Sequence, residues 1–340
     1  MHKPFTIRRA APALALAGVA LAAAAPSQAE VVKFGSASYS SISGQILAAS
    51  LDPEIFGAHG IALELVDLRG SSVNCLTALI SASVDVCQVG TTTGMDAIAE
   101  GAPLKAVAVV SGPTNEVILS AKTADTLGVA PDAPVADRLR ALAGLRIASA
   151  PPGSAHHTTL AYMLGTVGLS VADLQFQPLV DTVAMMESIR HDQLDGALWS
   201  AGDLGGLLSD NSGIRWLSIP RGDVPELATL PYVTAYVRAD WAEENPDLAE
   251  AVHNGLADAI ARIDRDDGTM TEAIRAEYFP ELDRALWEDG IAEARKAAFE
   301  NAQATKAGWD MLLELQAAST GKDYGAVAFE TVVLPFAIAD

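Results

Sequence analysis

Between Val31 and Trp199, short apolar runs of five to seven residues alternate with stretches whose apolar residues recur at helical spacing. No other feature constrains the fold as much. A strand period giving way to a helix period at every step is best met by parallel strands crossed over by helices. Val31-Val32-Lys33-Phe34-Gly35 reads as a strand entering a Ser-rich turn over residues 36–43, with a helix expected over 45–51. Residues 61–66 read as the next strand. After Gly70-Ser71-Ser72, the residues Val73, Leu76, Leu79 and Ile80 form a helical stripe, with Ser71 or Ser72 as its N-cap. Residues 84–89 and 104–110 are further strands, ending at Gly90-Thr91-Thr92-Thr93 and Ser111-Gly112-Pro113. This rhythm predicts an α/β fold with a parallel sheet covered by helices.

A second series repeats the rhythm. Residues 123–143 read as an exposed loop and a short helix, 145–149 as a strand, and Pro151-Pro152-Gly153-Ser154 as a turn. Leu160, Met163, Leu164 and Val167 form the stripe of the following helix. Residues 176–180 and 195–199 are two more strands, with a helix from Asp181-Thr182 through Ile189 between them. From Trp241 the chain reads as helical, with Leu248, Val252, Leu256, Ile260 and Ile263 on one face and further helices over 283–318.

The N-terminus stands apart. Lys3, Arg8 and Arg9 precede the apolar run 10–25, and Ser27-Gln28-Ala29 is a small-x-small cleavage site, so residues 1–29 read as a secretory signal peptide. The run is too short for a membrane span, which needs about 20 apolar residues. Three basic and no acidic residues lie in that segment, so its removal takes the formal charge from −21 to −24. A basic nucleic-acid surface is thereby excluded. With half of its 340 residues hydrophobic, the chain can bury a core, and its length suggests about two domains. An exported acidic protein is expected in the periplasm, where Cys75 and Cys87 either pair or remain two buried thiols.

Several stretches carry a resemblance in a fixed order. They are residues 55–66, IFGAHGIALELV, then 82–90, ASVDVCQVG, and 98–107, IAEGAPLKAV. Leu142-Ala143-Gly144-Leu145-Arg146-Ile147 follows, with Pro152-Gly153-Ser154 after it, and then Gly168-Leu169 with Asp173-Leu174. This series resembles the periplasmic solute-binding proteins of ABC importers, of the nitrate/sulfonate/taurine type. The resemblance implies a two-lobed, type II-like periplasmic-binding-protein fold with crossovers near 110–117 and 230–237 and a helical C-terminal segment. Lobe one would comprise 31–113 plus 232–340, and lobe two 114–231. It also implies a small-molecule solute, the permease and ATPase subunits of an importer as partners, a monomer, and neither cofactor nor catalysis.

Ligands of open parallel sheets bind beyond the carboxyl ends of the strands, where helix N-termini favour anions. The strand ends here are rich in hydroxyls: Ser38 and Ser40 around Tyr39, Ser71 and Ser72, Thr91 and Thr92, Ser111, Gly153-Ser154, and Thr182. These are the candidate ligand-binding residues, although each alone reads equally well as a cap or turn. Tyr39, Trp199 and Tyr232 are candidate flat walls, and Trp199 reads equally as a core residue. His156-His157 and Arg69 read as surface residues. So do the acidic runs Glu243-Glu244 and 264–267.

Enzyme readings find little support. The chain carries no nucleophile elbow, no His-Glu-x-x-His zinc site and no phosphate-cradling Gly-rich loop, and its cysteine spacing does not match a metal knuckle. The alternative function is a secreted enzyme on the same fold, either a hydrolase or one making a thiamine pyrimidine. The cysteine-rich segment associated with the latter is missing.

Overall fold

The computed structural model describes residues 29–36, 52–68 and 72–339. Most of the expected signal peptide, the helix over 45–51, and Ser38, Tyr39, Ser40, Arg69 and Ser71 lie outside the described residues.

Ten strands form two five-stranded sheets. β1 (Glu30–Ser36), β2 (Ile61–Asp67), β3 (Val86–Gly90), β4 (Leu104–Ser111) and β10 (Val233–Arg238) make the first, in the order β2-β1-β3-β10-β4. The second holds β5 (Asn115–Ser120), β6 (Ile147–Ser149), β7 (Gln177–Pro178), β8 (Gly196–Ser200) and β9 (Gly213–Ser218), in the order β7-β6-β8-β5-β9. The chain leaves the first sheet after Ser111, enters the second at Asn115, and returns between Ser218 and Val233. The protein is therefore a two-lobed α/β fold.

The parallel sheet expected from the alternation is corrected to two mixed ones. β10 runs antiparallel to β3 and β4, and β5 antiparallel to β8 and β9. The cause is the crossing itself. A strand that arrives from the other lobe enters its sheet at the carboxyl ends of its neighbours and must run against them. β9 lies where no strand was expected. The strand expected over 176–180 shrinks to two residues, at a sheet edge beside Pro178, which has no N–H to donate.

The two sheets share local devices. Asp85 Oδ2 accepts from the Lys33 backbone N–H at 2.9 Å, and Asp195 Oδ2 accepts from that of Arg146 at 2.8 Å. Three residues before each aspartate the chain turns through a left-handed residue, Ala82 (φ 58°) or Asp192 (φ 56°). The helices leading into these turns are Ser72–Ile80 and Thr182–Arg190.

The C-terminal helices carry the expected stripe. Val252, Leu256, Ile260 and Ile263 of the helix Pro246–Asp264 are buried, and most of this face packs against Val107, Ala108 and Val237. The helix Arg284–Ala297 reaches both lobes. Trp287 and Ile291 pack on Ala259 and Ile263, while Asp289 receives Arg215 of β9 and Arg221. Arg215 also bonds Glu116, whose fully buried carboxylate additionally accepts from the Gly202 N–H. Burial raises the Glu116 pKa, with Arg215 opposing it. Asp266 departs from the solvated surface expected for 264–267. It is buried and caps the helix Thr269–Tyr278, accepting from the N–H groups of Gly268, Met270 and Thr271. Burial alone would raise its pKa, but these bonds outweigh it and hold it down at about 2.

Cys75 and Cys87, left open by the sequence, form a disulfide with α-carbons 5.9 Å apart, tying the helix Ser72–Ile80 to β3. A closed loop of this size restricts the unfolded chain by an amount worth about 2–4 kcal/mol. Cys75→Ala with Cys87→Ala, or reduction of the wild type, should lower the urea midpoint accordingly. An unchanged midpoint would mean that the bond adds nothing to the fold.

Candidate functional site

Both crossovers and both sheets converge on Tyr232. Its N–H donates to the Ser111 carbonyl (2.8 Å), its carbonyl accepts from the Thr91 N–H (2.9 Å), and its hydroxyl accepts from Asn115 Nδ2 (2.9 Å). Burial raises its phenol pKa, so it is a neutral hydroxyl. Asn115 pairs across the second sheet with Ser200, the last residue of β8. Trp199 stacks on His156 with ring centroids 4.3 Å apart, and His156 meets Tyr232 edge-on at 5.7 Å. His156 Nε2 also lies 3.2 Å from Ser200 Oγ.

Two helices start at this junction. The helix Thr91–Ala99 opens with Gly90 at its N-cap and no side-chain cap; the Thr91 N–H is taken by the Tyr232 carbonyl, and the next N–H groups of the first turn have no side-chain acceptor from the cap. It lies directly on β10 because residue 94 is glycine: a Cβ there would stand 2.2 Å from the Tyr236 ring. Thr91 Oγ1 meets Thr234 Oγ1 at 2.7 Å, and Thr92 is buried beside it. The helix Ala155–Gly165 follows the turn at Gly153 (φ 88°) and is capped by Ser154. Ser154 Oγ accepts from the His157 N–H and donates to the Pro151 carbonyl, so its hydroxyl already serves the turn.

A further signal is the distribution of unpaired groups. Buried polar atoms are nearly always hydrogen-bonded, so exceptions need an explanation. Among the described residues nine such side-chain atoms lack a partner. Six of them belong to Gln88, Ser111, Thr114, Asn115, Ser149 and Ser218, all within two residues of strand ends or on the first crossover. None of the six has a protein partner, so ordered water or a bound polar molecule is the kind of partner such a concentration calls for.

Of the expected site residues, Thr91, Thr92, Ser111, Gly153, Ser154 and Trp199 come together here. Ser72 and Thr182 instead begin helices at the sheet edges opposite β4 and β9, half-buried and without a bond to this cluster. Sequence reasoning missed Gln88, Thr114 and Asn115, which no pattern marks. It also placed His156 and His157 on the surface. The Ser154 cap fixes where the helix starts and turns both rings inward, His156 onto Trp199 and His157 edge-on to Phe176. No lysine or arginine is among the residues gathered here.

Burial pushes the His156 pKa from 6.5 down to about 4, so the ring is neutral at pH 7. The unfolded chain takes up this proton near pH 6.5 and the folded one only near 4. Stability from this group is therefore complete above about pH 6.5 and is lost progressively toward pH 4, by up to roughly 3 kcal/mol. His156→Gln should flatten that part of the stability–pH curve relative to wild type. Parallel curves for the two proteins, measured by urea unfolding from pH 7 to pH 4, would contradict the buried neutral ring.

Known structures share this architecture. A protein of Bordetella bronchiseptica RB50 superposes with a TM-score of 0.70 at 18% identity, over 90% of this chain and 95% of that one. The alkanesulfonate-binding protein SsuA of Xanthomonas axonopodis pv. citri, bound to MOPS, gives 0.64 at 18% identity, over 89% and 94%. The periplasmic nitrate-binding protein NrtA of Synechocystis PCC 6803 gives 0.58 at 20% identity, over 81% and 73%. At such identities the likeness shows the fold, that of periplasmic binding proteins. No curated protein sequence matches the chain significantly. The sequence profile of the NMT1-like family, however, matches residues 25–276, well over half of the chain, and the protein belongs to that family.

Proposed function

We propose that this protein captures a small organic solute carrying an anionic or strongly polar acceptor group, and delivers it to the permease and ATPase of an ABC importer. The observation that carries this reading is the set of unpaired buried polar groups at the strand ends where the two lobes meet. Lobe one comprises 31–113 plus 232–340 and lobe two 114–231, residues 1–29 direct export to the periplasm, and the working unit is a monomer. The solute sits between the lobes. Its contacts favour the closed arrangement, which is the form the permease reads. The uncapped N-terminus of the helix Thr91–Ala99 supplies donors for the acceptor group. The net charge of −24 slows the encounter with an anion without deciding affinity, because its field is screened beyond about 8 Å.

Hydrolysis is the competing reading, since Ser200 and His156 stand as a nucleophile and a base would. It is the weaker one. A base held at a pKa of about 4 takes up protons poorly at neutral pH, and no carboxylate bonds His156 to orient it.

Thermal shifts of the mature protein against sulfonates, nitrate, aromatic carboxylates and thiamine-type heterocycles should single out one class, because a ligand of the native state raises the melting temperature. Calorimetry on Thr92→Ala and Ser111→Ala should then show affinity weakened by about 0.5–1.5 kcal/mol per lost neutral hydrogen bond. A cationic cognate solute, or two variants binding as tightly as wild type, would overturn the site. A solute recovered chemically altered would establish the hydrolase instead.

A further inference from the structure

Among the described residues, Gln316 is the one side chain whose hydrogen bonds reach both helices that start at the site. It lies on the helix Lys306–Thr320 and is fully buried. Its Nε2 donates to Asp96 Oδ1 (3.2 Å), on the helix Thr91–Ala99, and to the Gly153 carbonyl (3.1 Å), in the turn before the helix Ala155–Gly165. Its Oε1 accepts from Thr158 Oγ1 (3.1 Å), one turn into that second helix. Both amide hydrogens are thus used, one toward each lobe, and the oxygen is used as well. Asp96 is held in turn by the Tyr324 hydroxyl and by Lys322 Nζ (3.4 Å).

The element that carries Gln316 is anchored at its other end. Trp309 is buried and donates to the Val327 carbonyl (2.9 Å), and Gly308 lies so close to the Thr229 carbonyl that a Cβ would stand 2.1 Å from it. Thr229 belongs to the return crossover. Eight residues, or about 12 Å of helix, separate this anchor from Gln316. The helix is therefore pinned where the lobes are joined and reaches out to where their helices meet.

We propose that Gln316 is a positioning residue that sets the closed spacing of the two lobes at the site, an inference resting on the two-lobed solute-binding reading above. If the helices part, the amide and the Thr158 hydroxyl, both buried while the helices are together, lose their partners. The bonds therefore favour the closed arrangement without touching the solute. A buried glutamine that merely filled the core would affect stability alone, with no effect on lobe spacing.

The spacing can be read without any ligand. Val73 and Val183 are the second residues of corresponding helices in the two sheets and are 66% and 63% exposed. Val73→Cys and Val183→Cys, introduced together with the native disulfide intact, accept spin labels for pulsed distance measurement on the ligand-free mature protein. Gln316→Leu should move the distance distribution to longer values and broaden it. Thr158→Val removes only the bond to Oε1 and should produce a smaller shift, which decides the matter should Gln316→Leu not fold. Wild-type distributions in the folded variants would overturn the proposal, even with a lowered melting temperature. Because no solute is present, a shift together with a failed solute screen would sink the transport reading and leave the role of Gln316 standing.

Discussion

The structure depends on one exchange of chain between two sheets. In each sheet the fourth strand in order, β10 or β5, is the one the chain forms immediately after crossing. Because that strand runs against its neighbours, it begins where they end. The carboxyl ends of the strands are thus drawn toward the crossovers in both lobes at once. Tyr232 records this: it enters the first sheet bonded to Ser111 and Thr91, while its hydroxyl is bonded to the first residue of the outgoing strand, Asn115.

Bringing strand ends together has an electrostatic consequence. Strand ends carry the turn-forming polar residues, and pressing two sets of them together removes water from both. An unpaired buried donor or acceptor costs about 1–3 kcal/mol, and the whole stability of a domain is only about 5–15 kcal/mol. Six such groups around the crossovers lack a protein partner. They cost less once a polar solute offers them partners. In the proposed reading, the paired contacts of Gln316 and the unpaired groups around Asn115 pull in opposite directions, and a solute tips the balance.

Much of the fold was legible because it is written in period. Val31 to Gly35, Leu104 to Val110 and the stripe from Val252 to Ile263 declare strand or helix by spacing alone, and tertiary structure agrees with them. β9 escaped because Arg215 and Leu217 share one face of a six-residue run, so no polar face separates from an apolar one. Arg215 and the Trp216 indole N–H are satisfied by partners far away in sequence, Glu116 and the Arg138 carbonyl. The site was half legible for the same reason. Hydroxyls at strand ends are a local signal and named Thr91, Thr92 and Ser111. Asn115, Gln88 and His156 acquire meaning only from residues folded onto them. Asp266 misled because a run of acids looks the same whether water or backbone N–H groups receive it.

The likeness between the lobes shows which features serve the scaffold and which the site. Counting from Asp85 and Asp195, which accept from the backbone N–H groups of Lys33 within β1 and of Arg146 just before β6, Cys75 corresponds to Met185 and Cys87 to Ala197. One lobe therefore ties its helix to its strand with a disulfide, and the other buries a methionine against an alanine in the same cluster. These are two solutions to one packing requirement, so neither bears on the ligand. The same count sets Gly90, at the unassisted cap of a helix, against Ser200, whose hydroxyl meets His156. There the lobes diverge. One presents backbone N–H groups and the other a stacked imidazole–indole pair. In the proposed reading, a solute between the lobes would meet unlike surfaces, which distinguishes its two ends in a way that two identical lobes could not.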